Sequence, residues 1–403
     1  TVVRLKILPA SGVTGSPTSE IRIVREKIKL EEQTAKKEVL VFNQGDKKIK
    51  LGLITIPMFY RDFEGARKRE ADFKSTTSDV KRFLGEFKQE GIDALIVDLR
   101  NNGGGSLIEA IDLTGLFITK GPVVQRKQSD GKITQELDRD IEQSYDGPMA
   151  IMINRFSASA SEIFAAAIQD YKRGVVIGSK HTYGKGTVQN VIDLNQFVRG
   201  SSYGDLGALK TTTQKFYRIN GGSTQREGVL SDIVLPDRYA FIDMGERDEE
   251  EALPWDKIEQ ANYKPVFSGF EPIIAKSKAR IDANEQFKLI TENAKWIFER
   301  KDINDYSLNI DVFKKEIETA DAQLKKFKAI SNFHNKLIFK SLPEETVILE
   351  KDELLKEKRQ RWYDDMEKDV YIDEGVNILS DLKVYNEVKP LVQNKKKKLL
   401  RVD

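Results

Sequence analysis

The chain has 403 residues, of which 66 are Lys or Arg and 64 are Asp or Glu, so its charges nearly cancel and give no argument for a nucleic-acid partner. It contains no cysteine, which excludes disulfides, thiolate catalysis and thiolate metal sites. With only two histidines, His181 and His334, a multi-histidine metal site cannot form within one chain, and we predict no metal and no cofactor. No apolar run approaches the roughly 18 residues that span a bilayer, so we predict no integral membrane segment.

The first thirty residues predict two strands. Residues 1–8 and 21–30 alternate apolar and polar side chains, and a loop rich in Gly, Ser, Pro and Thr joins them over residues 11–19. Two strands cannot bury a core alone. The chain starts within a strand pattern and without a signal peptide, so we expect these residues to be the last part of a small β-rich domain that begins upstream.

From Val39 to about Arg238 the pattern changes to strands that alternate with amphipathic helices, which predicts an α/β domain. A helix capped by Ser75 or Thr76 is expected to run to about Gln89. The other expected elements are a hairpin of 39–42 and 49–56 around 43–46, strands at 94–98, 149–153 and 175–177, helices at 107–117 and 160–171, and β-type segments at 209–217 and 231–235.

The last part of the chain predicts a helical domain. Long, highly charged helical patterns occupy roughly 274–300, 311–340 and 350–368. The lysine run at 395–398 is typical of a solvated chain end, and we assign it no function.

Three serines, Ser157, Ser159 and Ser161, stand between an expected buried strand and an expected helix. A serine in this position lies at the carboxyl edge of the sheet, where α/β enzymes place their sites, and beside free amides at a helix N-terminus. The structural alternative is a helix capping box, because Ser159-Ala-Ser-Glu162 has the spacing for one. A hydroxyl needs a nearby base before it can act as a nucleophile.

Lys185, in Tyr183-Gly-Lys-Gly186, is the candidate base. A free lysine titrates near pH 10.4, so a lysine base has to be buried away from carboxylates to be neutral at pH 7. No acidic residue lies within several positions of Lys185. The alternative is a solvated surface lysine.

The run Gly103-Gly104-Gly105 follows the strand at 94–98. It lacks the Lys and Ser/Thr spacing of a phosphate-binding P-loop. A glycine-lined strand end can instead offer a bare amide to an oxyanion, together with the amide of Ala160. An ordinary tight turn is the alternative.

Together these segments resemble the C-terminal processing peptidases, and most closely their tail-specific protease (Prc/Tsp) branch. Asp98-Leu-Arg-Asn-Asn-Gly-Gly-Gly105 is similar to the glycine motif of that family, and Arg155-Phe-Ser-Ala-Ser-Ala-Ser-Glu-Ile163 is similar to its nucleophile motif. Tyr183-Gly-Lys-Gly-Thr-Val-Gln189 is similar to its lysine motif. Residues 215–225 and Leu253-Pro-Trp-Asp256 resemble the tail-specific branch in particular.

The resemblance implies roles for individual residues. It makes Ser159 the nucleophile, Lys185 the general base and Gln189 the residue that orients the lysine. It implies an oxyanion hole formed by Ala160 and a glycine of the 103–105 run, for which Gly104 and Gly105 are the candidates. Asp170 falls at a position that we interpret as structural.

The resemblance also implies an architecture. We expect a ClpP/crotonase-like α/β serine protease core at 32–239, preceded by the C-terminal part of a PDZ domain at 1–31 and followed by a mainly helical domain at 240–403. The implied activity is endopeptidase cleavage of proteins or peptides with accessible C-terminal tails, in the periplasm. The sequence identifies no adaptor protein.

Two alternatives to this reading stay open. Residues 179–183 are one position longer than the usual family segment, and the inserted stretch contains His181, so His181 is a rival candidate for the base. A catalytically silent scaffold that binds peptide tails is the second alternative. The intact Ser, Lys and Gly positions argue against that scaffold.

Overall fold

The computed structural model describes residues 1–8, 17–25, 33–44, 47–70, 72–198, 204–267 and 269–399, which belong to two compact units. The first unit, Thr1–Thr34, holds two antiparallel strands, β1 (Val2–Ile7) and β2 (Ser19–Val24), with exposed side chains. Both predicted strands are confirmed, although β2 ends before residue 30. Parts of the second strand (26–30) and of the expected loop (11–16) lie outside the described residues. The assignment of this unit to a PDZ domain stays a prediction.

The second unit, Ala35–Asp403, contains the other elements. Its strands are β3 (Lys36–Gln44), β4 (Lys47–Thr55), β5 (Ala94–Asp98), β6 (Gly121–Gln128), β7 (Ile133–Asp138), β8 (Met149–Ile153), β9 (Val175–Gly178), β10 (Thr187–Asp193), β11 (Ala208–Tyr217), β12 (Ile233–Val234) and β13 (Ile338–Lys340). Its helices are α1 (Phe63–Lys68), α2 (Thr76–Glu90), α3 (Leu107–Gly115), α4 (Ala160–Asp170), α5 (Glu271–Ala283), α6 (Glu285–Arg300), α7 (Ile310–Phe327), α8 (Pro343–Leu349), α9 (Glu353–Glu367) and α10 (Val370–Leu399).

A seven-stranded mixed sheet forms the centre of this unit, in the order β12-β9-β8-β5-β4-β3-β13. Strands β4, β5, β8, β9 and β12 run parallel to one another, whereas β3 and then β13 join the β4 edge antiparallel. All residues of β5 and β8 are buried, as expected for apolar strands that are covered on both faces. The expected α/β core is confirmed.

Helices cover both faces of this sheet. Along β5, Leu95 and Val97 pack into a core with α2, α3 and α4, while Ala94 and Ile96 pack into a second core with α5, α6 and α10. This division follows from the two-residue period of a strand. The carboxyl ends of β5 and β8 lead into the glycine run and into the serine-rich turn, so the parallel sheet brings these two segments to one edge.

A second sheet, of four antiparallel strands in the order β10-β11-β6-β7, carries the residues that follow Lys185. The sequence predicted β11 but not β6, β7 or β10, whose polar residues hide the alternation that marks a strand. Strand β10 lies at one edge of this sheet, and its register with β11 shifts between Val188 and Gln189, which marks a β-bulge.

The helical C-terminal region is confirmed, with two differences in detail. The pattern at 274–300 forms two helices, because Asn284 ends α5 and its side chain accepts the amide protons that begin α6. The pattern expected to be helical over 311–340 ends at Phe327, and Ile338–Lys340 instead pairs with β3 of the core sheet. Helix α10 was not predicted. The domain boundaries at 31/32 and 239/240 stay predictions.

Candidate active site

The serine-rich turn joins β8 to α4 and holds Ser159 in an unusual backbone conformation. Ser159 has φ 56° and ψ −111°, a combination that residues with a Cβ rarely adopt. Such strained positions persist only where the surrounding structure fixes them, and they cluster at functional sites. The strain therefore supports a functional role for this residue, which a plain helix cap does not require.

The hydrogen bonds of the turn distinguish the three serines. The buried Ser157 hydroxyl donates to Leu99 O (2.9 Å), and the buried Ser161 hydroxyl donates to Asn102 O (2.9 Å). Both hydroxyls thus fasten the turn to the segment that leads into the glycine run. The half-buried Ser159 hydroxyl donates to no acceptor among the described residues, and its side chain faces the Glu162 amide of its own capping box. Of the three serines, Ser159 is the one whose hydroxyl does not tie the turn to the segment before the glycine run.

The glycine run packs directly against this turn. Gly104 has φ 103°, and a Cβ on it would lie 2.8 Å from both Ala158 O and Ser159 Cβ. Its amide donates to Asn102 Oδ1 (2.9 Å) within the same loop. Among the described residues, the amides of Gly105 and Ala160 have no hydrogen-bond acceptor. The structure thus places Gly104 beside Ser159, and the described residues offer no hydrogen-bond acceptor to the amides of Gly105 and Ala160.

Lys185 lies on the segment that enters β10. Its ammonium Nζ contacts Gln189 Oε1 at 3.4 Å, and no carboxylate of the described residues lies within ion-pair distance of it. The sequence argument required Lys185 to be buried away from carboxylates, and the structure shows it half-buried. The reason is its position at the start of β10, an exposed edge strand. The Lys185 ammonium and the Ser159 hydroxyl make no hydrogen bond with each other in this conformation.

The buried carboxylate of Glu162 connects the serine turn to the lysine segment. Oε2 accepts the amide protons of Ser159 (2.7 Å) and Lys185 (2.9 Å). Oε1 accepts the Thr182 hydroxyl (2.6 Å) and the Gly184 amide (2.7 Å). Burial raises the pKa of Glu162 from 4.5 to about 7, against the lowering effect of these four donors.

The capping-box interpretation foresaw only one of these four contacts, the one from the Ser159 amide. The signal that could have revealed the others is the position of Glu162 itself. It is a charged residue in the first turn of an alanine-rich helix whose eleven residues are all buried. A buried carboxylate has to be matched by donors from elsewhere in the fold.

His181 has both ring nitrogens in use. Nδ1 lies 2.8 Å from Thr182 O and therefore carries the proton, and Nε2 lies 3.3 Å from an Arg155 guanidinium nitrogen. Burial, together with nearby Arg247 and Arg155, lowers the pKa of His181 below its usual value. Because the lone pair of Nε2 faces a cation and not Ser159, the geometry does not favour His181 as the base.

The longer segment around His181 is held by backbone pairing with a neighbouring segment. His181 forms an antiparallel bridge with Leu230, and the Thr182 amide donates to Val229 O at 3.1 Å. The longer segment in front of the lysine is thus paired to residues 229–230. Asp170 forms an ion pair with Arg218 (2.6 Å), in keeping with a structural role.

Neither a metal site nor a membrane span is found in the described part of the chain. No group of three or more His, Asp or Glu side chains there could hold a metal ion. Within the same residues, no helix has both the length and the apolar composition that crossing a bilayer requires.

Comparison with known proteins identifies the family. Residues 50–235 match the model of peptidase family S41, and residues 239–384 match the model of the C-terminal domain of tail specific protease. The tail-specific protease of Haemophilus influenzae is 43% identical over 329 residues, which cover 80% of this chain and 44% of that protein. The carboxy-terminal-processing protease of Bartonella bacilliformis is 33% identical over 240 residues, covering 56% of this chain and 46% of the relative.

Among solved structures, the photosystem II D1 C-terminal processing protease matches 55% of this chain and 53% of its own, with a TM-score of 0.40 and 24% identity. The chain spans less than half the length of the curated relatives named above. The two family models together cover the α/β core and the helical region that follows it. The chain belongs to peptidase family S41, a family of serine-type proteases, and carries the C-terminal domain of its tail-specific members.

Proposed function

We propose that this chain is the peptidase part of a serine endopeptidase in which Ser159 is the nucleophile and Lys185 is the general base. The observation that carries the proposal is the shared carboxylate of Glu162, which binds the amides of both residues and so keeps their backbones close together. The hydroxyl of Ser159 donates to no acceptor among the described residues, in contrast with those of Ser157 and Ser161, and this supports the choice of nucleophile.

In the proposed reaction, neutral Lys185 takes the proton of the Ser159 hydroxyl as the oxygen attacks the scissile carbonyl. The amides of Ala160 and of Gly104 or Gly105 stabilise the oxyanion. Gly104 lies beside Ser159, whereas Gly105 is the one of these two glycines whose amide has no acceptor among the described residues. Lys185 then gives its proton to the leaving amine, and water hydrolyses the acyl-enzyme by the same route in reverse. Gln189 accepts a hydrogen bond from the lysine and holds its side chain in place.

The proposed substrates are proteins or peptides with accessible C-terminal tails, and the proposed compartment is the periplasm. The similarity to the H. influenzae tail-specific protease supports the first, and the resemblance to the family supports both. On the same ground, residues 1–31 are proposed to be the end of a PDZ domain that captures the tail. No adaptor protein is proposed.

The test is cleavage of an unfolded protein with a free C-terminus, followed by mass spectrometry of the fragments. Ser159→Ala and Lys185→Ala are each expected to abolish cleavage while the circular dichroism spectrum is unchanged. Lys180→Ala, an exposed lysine five residues before Lys185, is the matched control and is expected to cleave normally. Full activity in Ser159→Ala or in Lys185→Ala would refute the assignment of nucleophile and base.

The missing contact between the Ser159 hydroxyl and the Lys185 ammonium favours a second candidate, a silent scaffold that binds tails. An active-site serine reagent separates the two functions. Labelling of Ser159 in the presence of a tailed peptide, and its loss in Lys185→Ala, supports the peptidase. Absence of labelling in folded protein that binds the peptide supports the scaffold.

A further inference from the structure

A large cavity lies at the carboxyl ends of the core strands, where the sheet meets the helical region. Its volume is about 780 Å³, which is within the range of ligand pockets. Asp98, Ile153 and Gly178, the last residues of β5, β8 and β9, contribute to its lining, and so do residues of α6, α7 and α10. Neither Ser159 nor Lys185 lines it, so the cavity is distinct from the candidate catalytic pair.

Two carboxamides on α6 line this cavity. Gln286 and Asn293 are seven residues apart, about two turns of the helix, so they share one helix face. The oxygen of each carboxamide is buried and accepts no hydrogen bond from the residues that the structure describes. A buried polar group without a partner is costly, so such a group usually meets a ligand or water. The terminal torsion of Asn and Gln is broad, and a small rotation turns a carboxamide toward the cavity.

A peptide group complements a carboxamide. A carboxamide has one acceptor oxygen and an NH₂ donor, whereas a peptide group has one N–H donor and one carbonyl acceptor, so the two can pair through both. Gln286 and Asn293 are about 10 Å apart along the helix axis, which an extended chain spans in about three residues. Met152, Ile290 and Phe327 add apolar surface to the lining. These features suit a short peptide with an apolar side chain.

The charges of the lining favour an anionic group at the opening. Most of its charged side chains are in ion pairs with one another: Asp98, Arg100, Arg155, Asp237 and Asp369. Arg238, Lys368 and Asp365 also line the cavity and are exposed, and within the described part of the chain none of the three has an ion-pair partner. Two cations and one carboxylate therefore remain where the cavity meets solvent. Their net positive charge favours a ligand that carries a carboxylate.

The cavity also adjoins both loops of the candidate active site. Asn101 and Asn154 line it and bind each other. The Asn154 side-chain nitrogen donates to Asn101 Oδ1 (2.8 Å), and the Asn101 amide donates to Asn154 Oδ1 (2.9 Å). Asn101 lies three residues before Gly104, and Asn154 lies five residues before Ser159. A ligand in the cavity can therefore contact the two side chains that join the glycine run to the serine turn.

We propose that this cavity is an effector site for a short peptide with a free C-terminal carboxylate, such as a cleavage product. Gln286 and Asn293 bind its main chain, the two exposed cations at the opening bind its carboxylate, and the apolar lining takes a side chain. Occupancy changes the rate of cleavage through Asn101 and Asn154. The binding site does not depend on the catalytic roles assigned above, whereas the effect on cleavage rests on the proposed function.

The first test compares three ligands by isothermal titration calorimetry with the folded Ser159→Ala protein. Acetyl-Ala-Leu-Ala with a free carboxylate is measured beside its C-terminal amide and beside octanoate, which has a carboxylate and an apolar chain but no peptide group. The peptide acid should bind roughly two- to fivefold more tightly than the amide, because it pairs with exposed cations. It should bind roughly two- to tenfold more tightly than octanoate, because only the peptide can pair with the carboxamides.

The second test places the carboxylate. In the double variant Arg238→Gln and Lys368→Gln, the acid and the amide should bind with equal affinity, because the cations at the opening are gone. Lys295→Gln, at an exposed lysine of α6 that does not line the cavity, is the matched control and should keep the preference for the acid. A preference that survives in the double variant would place the carboxylate elsewhere and overturn the site.

The third test separates a binding carboxamide from a structural one. Asn293→Leu replaces a buried oxygen that lacks a partner by an apolar group of similar size, so the melting temperature should rise by about 2–4 °C. Affinity for the acid and for the amide should fall alike, roughly two- to tenfold. Gln323→Leu, at an exposed carboxamide of α7, should leave both affinities unchanged. A lower melting temperature with unchanged affinities would make Asn293 a structural residue and overturn its role.

The effect on cleavage is measured with wild-type protein and a fluorogenic tailed substrate. Saturating acetyl-Ala-Leu-Ala should change kcat, whereas a peptide that only competes at the catalytic centre would raise KM alone. If the protein cleaves and the three ligands bind equally or not at all, the cavity site is overturned and the peptidase assignment stands. If the peptide binds in the cavity and kcat is unchanged, the effector role is overturned. If wild-type protein neither cleaves nor labels, the proposed function fails, and the calorimetry still decides the binding site.

Discussion

Replacing Glu162 by Gln tests whether this carboxylate positions the two candidate catalytic residues. The carboxylate accepts four hydrogen bonds, whereas an amide of the same shape can accept on one side only. Its nitrogen is expected to face Thr182, whose hydroxyl can turn and accept a hydrogen bond. The Gly184 amide, which precedes Lys185, then loses its acceptor.

The size of the effect follows from that one orphaned donor. A buried amide without an acceptor costs about 1–3 kcal/mol of the free energy of unfolding, against a total of about 5–15 kcal/mol for a typical domain. The variant should therefore remain folded. A shift of the lysine segment of even about 1 Å costs up to roughly a hundredfold in rate. Because Glu162 is fully buried and cannot touch substrate, kcat should fall while KM stays within the error of measurement.

The assay is steady-state cleavage of a fluorogenic tailed peptide across pH 5–9, with unfolding by urea measured in parallel. Burial raises the pKa of Glu162 to about 7, so acid converts the wild-type carboxylate into a neutral group like the one in Glu162→Gln. Wild-type kcat should accordingly drop as pH falls through about 7. The variant should lack this step, because it has no proton to gain there.

Glu374→Gln provides the matched control. Glu374 is also buried and accepts from Ser277 and Arg280, but it lies on α10 in the helical region. It should lose stability and keep kcat. If Glu162→Gln loses stability with an unchanged kcat and an unchanged pH profile, Glu162 is only a structural carboxylate, and the positioning argument is wrong.

Three further changes probe the site and the core. Gly104→Ala places a Cβ 2.8 Å from Ala158 O at a positive φ; strain of about 1–3 kcal/mol and a loss of cleavage are expected, and normal activity would show that the turn relaxes freely. Deletion of a general base lowers the cleavage rate by roughly a hundredfold or more, and His181→Ala should lower it by less than that when assayed below its melting temperature. A folded but inactive variant would instead favour His181 as the base. Burial raises the pKa of the Glu38 carboxyl from 4.5 to about 7, so the native state binds the carboxyl proton more tightly than the unfolded chain does. The stabilisation that comes from this tighter proton binding is lost as pH rises from 4.5 through about 7. Urea unfolding of Glu38→Gln should show a flatter pH dependence in that window, and an unchanged slope would contradict the assigned pKa.

Local patterns were sufficient for the centre of the fold. The buried strands β5 and β8 are short apolar runs, and Ser75 caps α2 through the Ser78 amide as its position predicted. These features depend on residues close together in the chain. The segments around Ser159, Lys185 and Gly104 were identified for the same reason, because each lies where a predicted strand ends or a glycine run begins.

The features that could not be predicted from the sequence depend on contacts between residues that are far apart in the chain. The four donors to Glu162 come from two segments about twenty residues apart, so only the fold shows that they converge. The hydroxyl of Ser157 is committed to Leu99 and that of Ser161 to Asn102, and no local pattern distinguishes them from Ser159. Residues 338–340 were predicted to be helical because the sequence around them has a helical pattern. They form a strand instead, because they pair with the edge of β3.

The pairing of β13 with β3 bears on the order in which this protein is completed during synthesis. Residues 338–340 pair with residues 39–41, roughly 300 positions earlier, and Lys383 of α10 pairs with Asp93 (2.6 Å). At about 5–20 residues per second, a ribosome takes at least some fifteen seconds to make the intervening chain. During that interval the edge of β3 has no partner and the face of the sheet that α10 covers is bare. The protease core is thus finished late in translation, by residues that lie outside the candidate active site.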